Sequence, residues 1–156
     1  MKILVMSDSH GDIVSVRGIL RRHAGHVGGV VHLGDGYADI VEAAREFPHI
    51  ALYAVAGNCD DCPGAPEKLV FGIGGTTVLA AHGHHYNVKT SFDRLCYAAQ
   101  EAGADLCLFG HTHRAESFEY AGATFLNPGA VLAPHGGKPK YAIIDTAAAP
   151  VGIEFC

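Results

Sequence analysis

The chain has 156 residues, of which 49% are hydrophobic and 17% are charged. This composition is typical of a globular domain and argues against a disordered chain. The formal net charge is −5 with histidine neutral, and there is no run of Lys or Arg, so binding along a nucleic-acid backbone is disfavoured. A small phosphate substrate stays compatible, because bound divalent cations reverse the sign of the charge locally.

The five cysteines and the hydropathy pattern favour a reduced compartment. We find no secretory signal before the first strand-like segment, and no apolar run approaches the ~20 residues that span a bilayer. We therefore expect a cytoplasmic protein with no membrane partner. Cys59 and Cys62 form a C-x-x-C pair, but without a second pair two free thiols in a loop are favoured over a structural zinc site.

The first half of the chain alternates between short apolar runs and helical patterns. Asp12 is placed to cap a helix whose apolar residues recur at helical spacing. Repeated strand, loop and helix units predict parallel strands with right-handed crossovers, and ligands gather at the carboxyl ends of such strands. The predicted elements are strands at 2–6, 29–33 and 50–55, a helix that follows Asp12 and ends near residues 23–25, and a helix at about 37–47.

The second half is mostly β. Gly74 and Gly75 lie between two apolar runs and predict a hairpin. A helix is expected to begin at a Ser91 cap and to end at Gly103. We infer an α/β fold with two packed sheets and helices outside, in a single domain of residues 1–156. The predicted strands are 68–73, 76–81, 106–109, 116–120, 123–126, 141–145 and 151–155, with loops at 127–129, 135–139 and 147–150.

Polar side chains follow five of the apolar runs. Taken one at a time, the first four have simpler explanations: an Asp–His hydrogen bond, a turn residue, or a hydrogen-bonded core histidine. His111 and His113 are harder to explain in this way, because two histidines on one side of a tight loop need two separate partners. Together they form a much more specific pattern of oxygen and nitrogen donors at strand ends. The candidate metal ligands are Asp8, His10, Asp35, Asn58, His82, His111 and His113.

This donor set predicts the class of metal. Mixed carboxylate, amide and imidazole ligands fit Mn²⁺, Fe²⁺, Co²⁺, Ni²⁺ or Zn²⁺ better than Ca²⁺ or Mg²⁺. Two ions ~3.5–4 Å apart would clamp a phosphoryl group and acidify a bridging water toward a neutral pKa. We therefore expect two divalent transition-metal ions as cofactors, with Mn²⁺ favoured.

The order of the motifs D-x-H, GD, GNCD, HGH and GHTH resembles the calcineurin-like metallophosphoesterase superfamily, and in particular its compact stand-alone phosphodiesterase branch. The resemblance runs from Met1 to about Gly129. It implies a double β-sandwich flanked by helices in four layers. It also implies that one ion is held by Asp8, His10 and His113, that the other is held by Asn58, His82 and His111, and that Asp35 bridges the two.

The resemblance implies a phosphodiesterase that hydrolyses small phosphodiesters by attack of a metal-bridging hydroxide. Asn58 and His84 are the candidate catalytic contacts to the phosphoryl oxygens or the leaving group, and a plain surface histidine is an equally good interpretation of His84. Larger phosphatases of the superfamily carry GNHE, in which the histidine can protonate the leaving group. Cys59 stands at that position here, which favours substrates with good leaving groups, and Asp60 is expected to orient a ligand or its loop.

Two alternatives remain within the same fold. One is a non-catalytic protein-interaction scaffold, as in the retromer subunit, and the other is a phosphomonoesterase or nucleotide hydrolase. A small phosphoester is the expected partner, and a homo-oligomer is compatible with the sequence. We interpret the other histidines as structural or exposed (His32 and His85) or as solvated (His23, His26, His49 and His135).

Overall fold

The computed structural model describes residues 1–133, 136–148 and 151–156. His135 and parts of the predicted loops 135–139 and 147–150 lie outside the described residues. The described part contains helices α1 (Ile13–His23), α2 (Tyr37–Ala44) and α3 (Asp93–Glu101) and a 3₁₀ turn over His84–Tyr86. Its strands are β1 (Lys2–Met6), β2 (Gly29–His32), β3 (Ala51–Ala54), β4 (Lys68–Ile73), β5 (Thr76–Ala81), β6 (Leu106–Leu108), β7 (Ala115–Tyr120), β8 (Ala123–Pro128), β9 (Ala142–Asp145) and β10 (Gly152–Phe155).

The strands form two five-stranded mixed sheets, as the sequence predicted. The first has the order β10-β9-β1-β2-β3, and the second has the order β4-β5-β6-β8-β7. β1, β2 and β3 pair in parallel, as do β5, β6 and β8, while β9, β10, β4 and β7 pair antiparallel. Each sheet therefore contains three neighbouring parallel strands, whose carboxyl ends lie at the same end of the sheet.

The strands are apolar on both faces, so each sheet is covered by helices on one side and by the other sheet on the other side. In β1, Ile3 and Val5 face the second sheet, while Leu4 and Met6 pack beneath α1 and α2, and all four are fully buried. The second sheet repeats this arrangement, with α3 on its outer face. Burial on both faces is the usual state of parallel strands with crossover helices. The result is four layers: α1 and α2 form the first, the two sheets form the second and third, and α3 forms the fourth.

Helix boundaries differ from the prediction at two places. α2 ends at Ala44 and not at Phe47, because Pro48 keeps the preceding residue out of the helical region and the chain closes with i→i−3 bonds such as Phe47 N to Ala44 O at 2.9 Å. Ser91 does not cap α3. The cap position belongs to Phe92, and the Ser91 hydroxyl accepts from Asp93 N at 3.1 Å.

The N-terminus of α1 agrees with the prediction. Asp12 is its cap residue, and the carboxylate accepts from Ser15 N at 3.0 Å. This bond satisfies one of the free N–H groups of the first turn. Among the described helices, none combines the length and the apolar character that crossing a bilayer requires.

Candidate metal centre

The seven candidate ligands come together at the carboxyl ends of five strands. Asp8 and His10 follow β1, Asp35 follows β2, Asn58 follows β3, His82 follows β5, and His111 and His113 follow β6. Both sheets contribute, so the site lies where the parallel strands of the two sheets end. The structure thus brings together all seven side chains that the sequence singled out.

One group of donors surrounds the buried carboxylate of Asp8. Its Oδ1 lies 3.0 Å from His113 Nε2 and 3.8 Å from His10 Nε2. Its other oxygen is occupied, because it accepts from Ser7 Oγ at 2.5 Å and from His111 N at 3.2 Å. Oδ1 is buried and has no hydrogen-bond partner among the described residues. A buried carboxylate oxygen in this state is costly unless a cation is bound to it.

The second group surrounds His82, whose side chain is fully buried. His82 Nδ1 lies 2.7 Å from the carbonyl oxygen of Leu33, so Nδ1 carries the proton in the neutral ring and Nε2 presents its lone pair. That lone pair faces His111 Nδ1 at 3.1 Å and Asn58 Oδ1 at 3.1 Å.

Asp35 lies between the two groups. Its Oδ2 is 3.3 Å from His82 Nε2 and 3.7 Å from His10 Nε2. Its Oδ1 accepts from Cys59 N at 2.8 Å, which fixes the orientation of the carboxylate. The pKa of Asp35 is held well below its usual range: burial raises it, but hydrogen bonds from His82 and Cys59 outweigh the burial. Asp35 is therefore a carboxylate in the folded chain.

The histidines differ in their protonation. Burial, and then the charges of His82 and Lys89, lower the pKa of His111 to about 4, so this ring is neutral near pH 7. Burial alone would lower the pKa of His82, but its contacts with Asp35 and Asp8 raise it above the usual value. One proton on His82 Nε2 can satisfy only one of the acceptors around it.

These residues fit divalent metal ions. Ligand atoms of Asp8, His10 and His113 lie within 4.8 Å of one another, and so do those of Asp35, His82 and His111. A cation within such a group is attracted by every lone pair at once, which a proton cannot achieve. Imidazole and carboxylate donors of this kind suit transition metals.

Backbone strain is concentrated in the same residues. In the described structure, seven non-glycine residues have positive φ, and five of them are candidate ligands: Asp8 (φ 56), His10 (φ 45), Asp35 (φ 53), His111 (φ 67) and His113 (φ 59). The left-handed region costs an L-residue about 1–2 kcal/mol. Strain of this kind collects at functional sites, where the surrounding structure over-determines it.

Two glycines allow the loops to approach one another. A Cβ at Gly110 would collide with Ser7 Oγ, and a Cβ at Gly57 would collide with the Asp35 carboxylate. Any side chain at these positions would push a donor loop away from the centre. The glycines of the GN and GH motifs are therefore steric requirements of the site.

Asp60 organises the loop beneath Asp35, as the sequence led us to expect. Its Oδ2 accepts from Asp35 N at 2.8 Å and from Gly57 N at 2.7 Å. Its Oδ1 accepts from Gly36 N at 2.9 Å and from Tyr37 N at 3.0 Å. One carboxylate thus satisfies four N–H groups and ties the loop after β2 to the loop after β3.

The sequence did not reveal the supporting role of Asn127. This buried amide donates from Nδ2 to Gly110 O and to Thr112 Oγ1, both at 2.9 Å, and its Oδ1 accepts from Gly129 N at 2.9 Å. It therefore fixes the loop that carries His111 and His113. The available signal was a polar residue directly after the apolar run of β8, which we interpreted only as part of a turn.

A second hidden network lies under the loop after β1. His32 is fully buried; its Nδ1 accepts from Gly34 N at 3.3 Å, and its Nε2 lies 3.3 Å from Ser9 Oγ. Ser9 Oγ donates to Asp39 at 2.6 Å, and Asp39 also accepts from Gly11 N at 2.9 Å. His32 must be neutral to accept from Gly34. The prediction of a structural or exposed His32 is thus resolved in favour of a structural one.

The remaining histidines divide between the rim of the site and the surface. His84 lies at the rim, with its ring centroid 5.4 Å from that of His82 and 6.1 Å from that of His111. His85 is exposed and lies 3.2 Å from a Glu67 oxygen. His23, expected to be solvated, is half-buried instead, because its Nε2 contacts the Tyr141 hydroxyl at 3.0 Å.

Cys59 lies next to the donors, although it was not among the predicted ligands. Its Sγ is within 4.8 Å of ligand atoms of His10 and Asp35. Burial and the neighbouring Asp35 raise the pKa of the thiol, so it is neutral near pH 7. All five cysteines are free, including Cys62, so the C-x-x-C pair forms no disulfide.

Comparison with known proteins identifies the family. Residues 1–149 match the model of the calcineurin-like phosphoesterase superfamily domain. The chain belongs to this superfamily. Membership supports hydrolysis of phosphoesters and implies divalent metal ions as cofactors.

Individual relatives agree with this assignment. The chain is 34% identical to the probable metallophosphoesterase YsnB of Bacillus subtilis over 146 residues, which are 92% of this chain and 83% of the relative. It is also similar to the crystal structure of a predicted phosphoesterase from Streptococcus pneumoniae, with a TM-score of 0.82, 34% identity and coverage of 99% and 87%. An archaeal phosphodiesterase shares the fold at a TM-score of 0.79, with 24% identity and full coverage of both chains.

Replacing Asp60 with Asn should loosen the two loops that it joins. The amide keeps one acceptor oxygen, and its NH₂ group faces two N–H donors. We expect the free energy of unfolding in urea to fall by about 3 kcal/mol or more, because hydrogen bonds to a charged group contribute about 1.5–3 kcal/mol each. Asp61→Asn is the matched control, since Asp61 is exposed and makes no side-chain hydrogen bond among the described residues. Equal stability of the two variants would contradict this role.

Buried His32 should make stability depend on pH. Burial lowers its pKa from 6.5 to about 4 in the folded chain. The unfolded chain therefore takes up a proton at a higher pH than the folded chain does. We expect the His32 contribution to unfolding free energy to fall by about 3 kcal/mol as the pH drops from 6.5 to 4, and to level off below.

The measurement is urea unfolding between pH 4 and pH 8. The variant His32→Gln should lack this part of the pH dependence, whereas His26→Gln, at an exposed position, should keep it. The same pH profile in both variants would show that His32 is not the responsible group.

Proposed function

We propose that the chain is a phosphodiesterase that uses two divalent transition-metal ions to hydrolyse small phosphodiesters. The observation that carries the proposal is the set of lone pairs facing one another at the centre. Asp8 Oδ1 is buried without a hydrogen-bond partner among the described residues, and His82 Nε2 faces a second imidazole, an amide oxygen and a carboxylate. Such a centre is stable when cations occupy it.

The two donor groups support two ions. Asp8, His10 and His113 would hold the first, Asn58, His82 and His111 would hold the second, and Asp35 would bridge them from its place between His10 and His82. Mn²⁺ is our first choice among the transition metals that suit these donors. Divalent ions bound here supply Lewis acidity, which acidifies water and neutralises phosphoryl charge.

The side chains around the centre have separate tasks. Asp60 and Asn127 hold the donor loops in place, so that the ligands are preorganised. Asn58 and His84 are proposed to contact the phosphoryl oxygens. Burial and the neighbouring His85 lower the pKa of His84, so a neutral ring faces the substrate. A neutral ring donates a hydrogen bond without adding charge.

Cys59 accounts for the preference for diesters with good leaving groups. A thiol whose pKa is raised is a weak acid, so it contributes little to protonating a departing alkoxide. Aryl and other stabilised leaving groups depart without that help. An imidazole at this position would broaden the range of leaving groups, and its absence narrows it.

The chain acts as one unit in this proposal. The first sheet contributes to two apolar clusters and the second sheet shares one of them, so residues 1–156 are proposed to form one domain. Five free thiols and no disulfide in the described chain favour a reducing compartment, which we propose to be the cytoplasm.

Loss of the bridging carboxylate tests the function directly. In Asp35→Asn, we expect hydrolysis of bis(4-nitrophenyl) phosphate with added Mn²⁺ to fall by at least about a hundredfold, because transition-state charge is no longer compensated. Asp61→Asn is the control and should keep the wild-type rate. The wild-type protein should cleave this diester faster than 4-nitrophenyl phosphate. An unchanged rate in Asp35→Asn would overturn the proposal.

The division of the ligands between the two ions can be tested by measuring metal content. Metal analysis should show that His113→Ala loses the ion held with Asp8 and His10, whereas His111→Ala loses the ion held with Asn58 and His82. Calorimetric titration with Mn²⁺ should then retain one site in each variant, with different affinities. Equal loss of both ions from either variant would argue against the division of ligands.

Exchange at position 59 tests the leaving-group argument. We expect log(kcat/KM) to fall steeply with the pKa of the leaving phenol in the wild-type protein. Cys59→His should flatten this dependence by raising the rates of poor leaving groups, since general acids contribute about 10²–10⁴-fold. Cys59→Ala is the control and should leave the slope unchanged. A steeper slope in Cys59→Ala would mean that the thiol already acts as the acid.

A further inference from the structure

A pocket of about 500 Å³ lies beside the loop that carries His111 and His113. Its walls are the segment 88–92, which follows the 3₁₀ turn, and the residues Thr112, Arg114 and Glu116. This volume lies within the range of small-molecule sites, roughly 300–1,000 Å³. None of these lining residues has a part in the metal centre itself.

The pocket is joined to the metal centre through two of the donor loops. Thr112 stands between His111 and His113, and its hydroxyl accepts from Asn127 Nδ2 at 2.9 Å and from Arg114 N at 3.3 Å. On the other side, Val88 packs so closely on Gly83 that a Cβ there would lie 2.9 Å from Val88 Cγ2. The walls of the pocket are thus fixed to the loops that hold the donors.

The charges in the pocket favour an anion. Lys89 and Arg114 are exposed, and neither has a carboxylate within 4.0 Å among the described residues. Glu116 is the one acidic residue of the lining and reduces the positive charge without cancelling it.

The floor of the pocket is partly apolar. Phe92 is half-buried, and its ring is held against Phe109 and Phe118 at centroid distances of 5.3 Å and 4.9 Å. Val88 adds a buried aliphatic side chain. A fixed aromatic edge beside two free cations suits a planar or apolar group that bears its own negative charge.

We propose that this pocket binds one ester group of the phosphodiester and selects substrates in which that group carries an additional anion. The inference rests on the proposed phosphodiesterase function and names the class of substrate. Lys89 and Arg114 attract the additional anion, Glu116 opposes it, and Phe92 contacts the body of the ester group. The phosphate being cleaved stays at the metal centre.

The test compares two symmetric diesters, bis(4-nitrophenyl) phosphate and bis(3-carboxy-4-nitrophenyl) phosphate. Symmetry places the carboxylate in the pocket whichever ester group occupies it. The measured quantity is the ratio of kcat/KM for the carboxylated diester to kcat/KM for the plain one. Lys89→Met and Arg114→Met should each lower this ratio by about threefold to fivefold, as expected for exposed ion pairs.

Glu116→Gln should raise the same ratio by about threefold, because it removes the opposing charge. Arg45→Met is the control for Lys89→Met and Arg114→Met: it changes the net charge by the same amount as each of them, but Arg45 is exposed at the end of α2, outside the pocket. Its ratio should equal that of the wild-type protein. The differences between variants should shrink in ~1 M salt, where exposed charges are screened within about 3 Å. Equal ratios in Lys89→Met, Arg114→Met and Arg45→Met would overturn the inference.

A binding measurement separates this inference from the proposed function. The probe is 5-hydroxy-2-nitrobenzoate, added to the purified protein and followed by the amide NMR signals. Shifts should appear in residues 88–92 and 112–116 and should disappear in the Lys89→Met/Arg114→Met double variant. If neither diester is hydrolysed but these shifts occur, the proposed function fails and the pocket stands. Shifts elsewhere, or none, overturn the pocket whether or not the diesters are hydrolysed.

Discussion

The arrangement of lone pairs around Asp8 Oδ1 and His82 Nε2 is the constraint on which the site depends. The Leu33 carbonyl fixes the proton of His82 on Nδ1, which turns the other nitrogen toward His111 and Asn58. In the absence of a cation, the few protons available cannot satisfy all of these acceptors at once. The fold must therefore hold them together with interactions that lie outside the centre, and those interactions can be named.

Three features provide this restraint. Parallel strands in both sheets end at one edge, so the loops are brought close before any side chain interacts. Asp60 and Asn127 then tie neighbouring loops through six short hydrogen bonds to backbone and hydroxyl groups. The tight packing at Gly57 and Gly110 finally leaves the donors little room to separate. The positive φ values at five donor residues are consistent with this restraint, because the surrounding hydrogen bonds and packing hold the backbone in an unfavourable conformation.

Sequence reasoning recovered much of this because the signals were local. Strand ends are visible as apolar runs that stop at polar residues, and each donor lies within a few positions of such a stop. The hairpin 68–81 was predicted to the residue from its two glycines. Helix ends were less accurate: Pro48 restricts the backbone of Phe47, so α2 ends at Ala44, and the cap position of α3 is taken by Phe92, whose ring packs near that of Phe109, and not by Ser91.

The supporting residues were harder to predict because their partners are distant in the chain. Asn127 acts on a loop 15–17 positions earlier, and His32 lies 23 positions from Ser9. In the sequence, the only local sign of such a role is a polar residue in or next to an apolar run, and a turn explains this pattern equally well. The burial of His32 could not be read from β2 alone, because it depends on what covers the strand.

Substrate choice is spread over parts of the chain that the metal centre does not include. In our proposal, Cys59 limits the acid available to the leaving group, and it lies in the loop after β3 of the first sheet. The pocket beside Thr112 is proposed to select the ester group, and Thr112 lies in the loop after β6 of the second sheet. These two parts share no hydrogen bond with each other among the described residues, but each is tied to a donor loop: Cys59 N donates to Asp35 Oδ1, and Thr112 Oγ1 accepts from Asn127 Nδ2. Under this proposal, one arrangement of ligands is compatible with different diester substrates, because side chains outside the donor set would determine which ester groups fit.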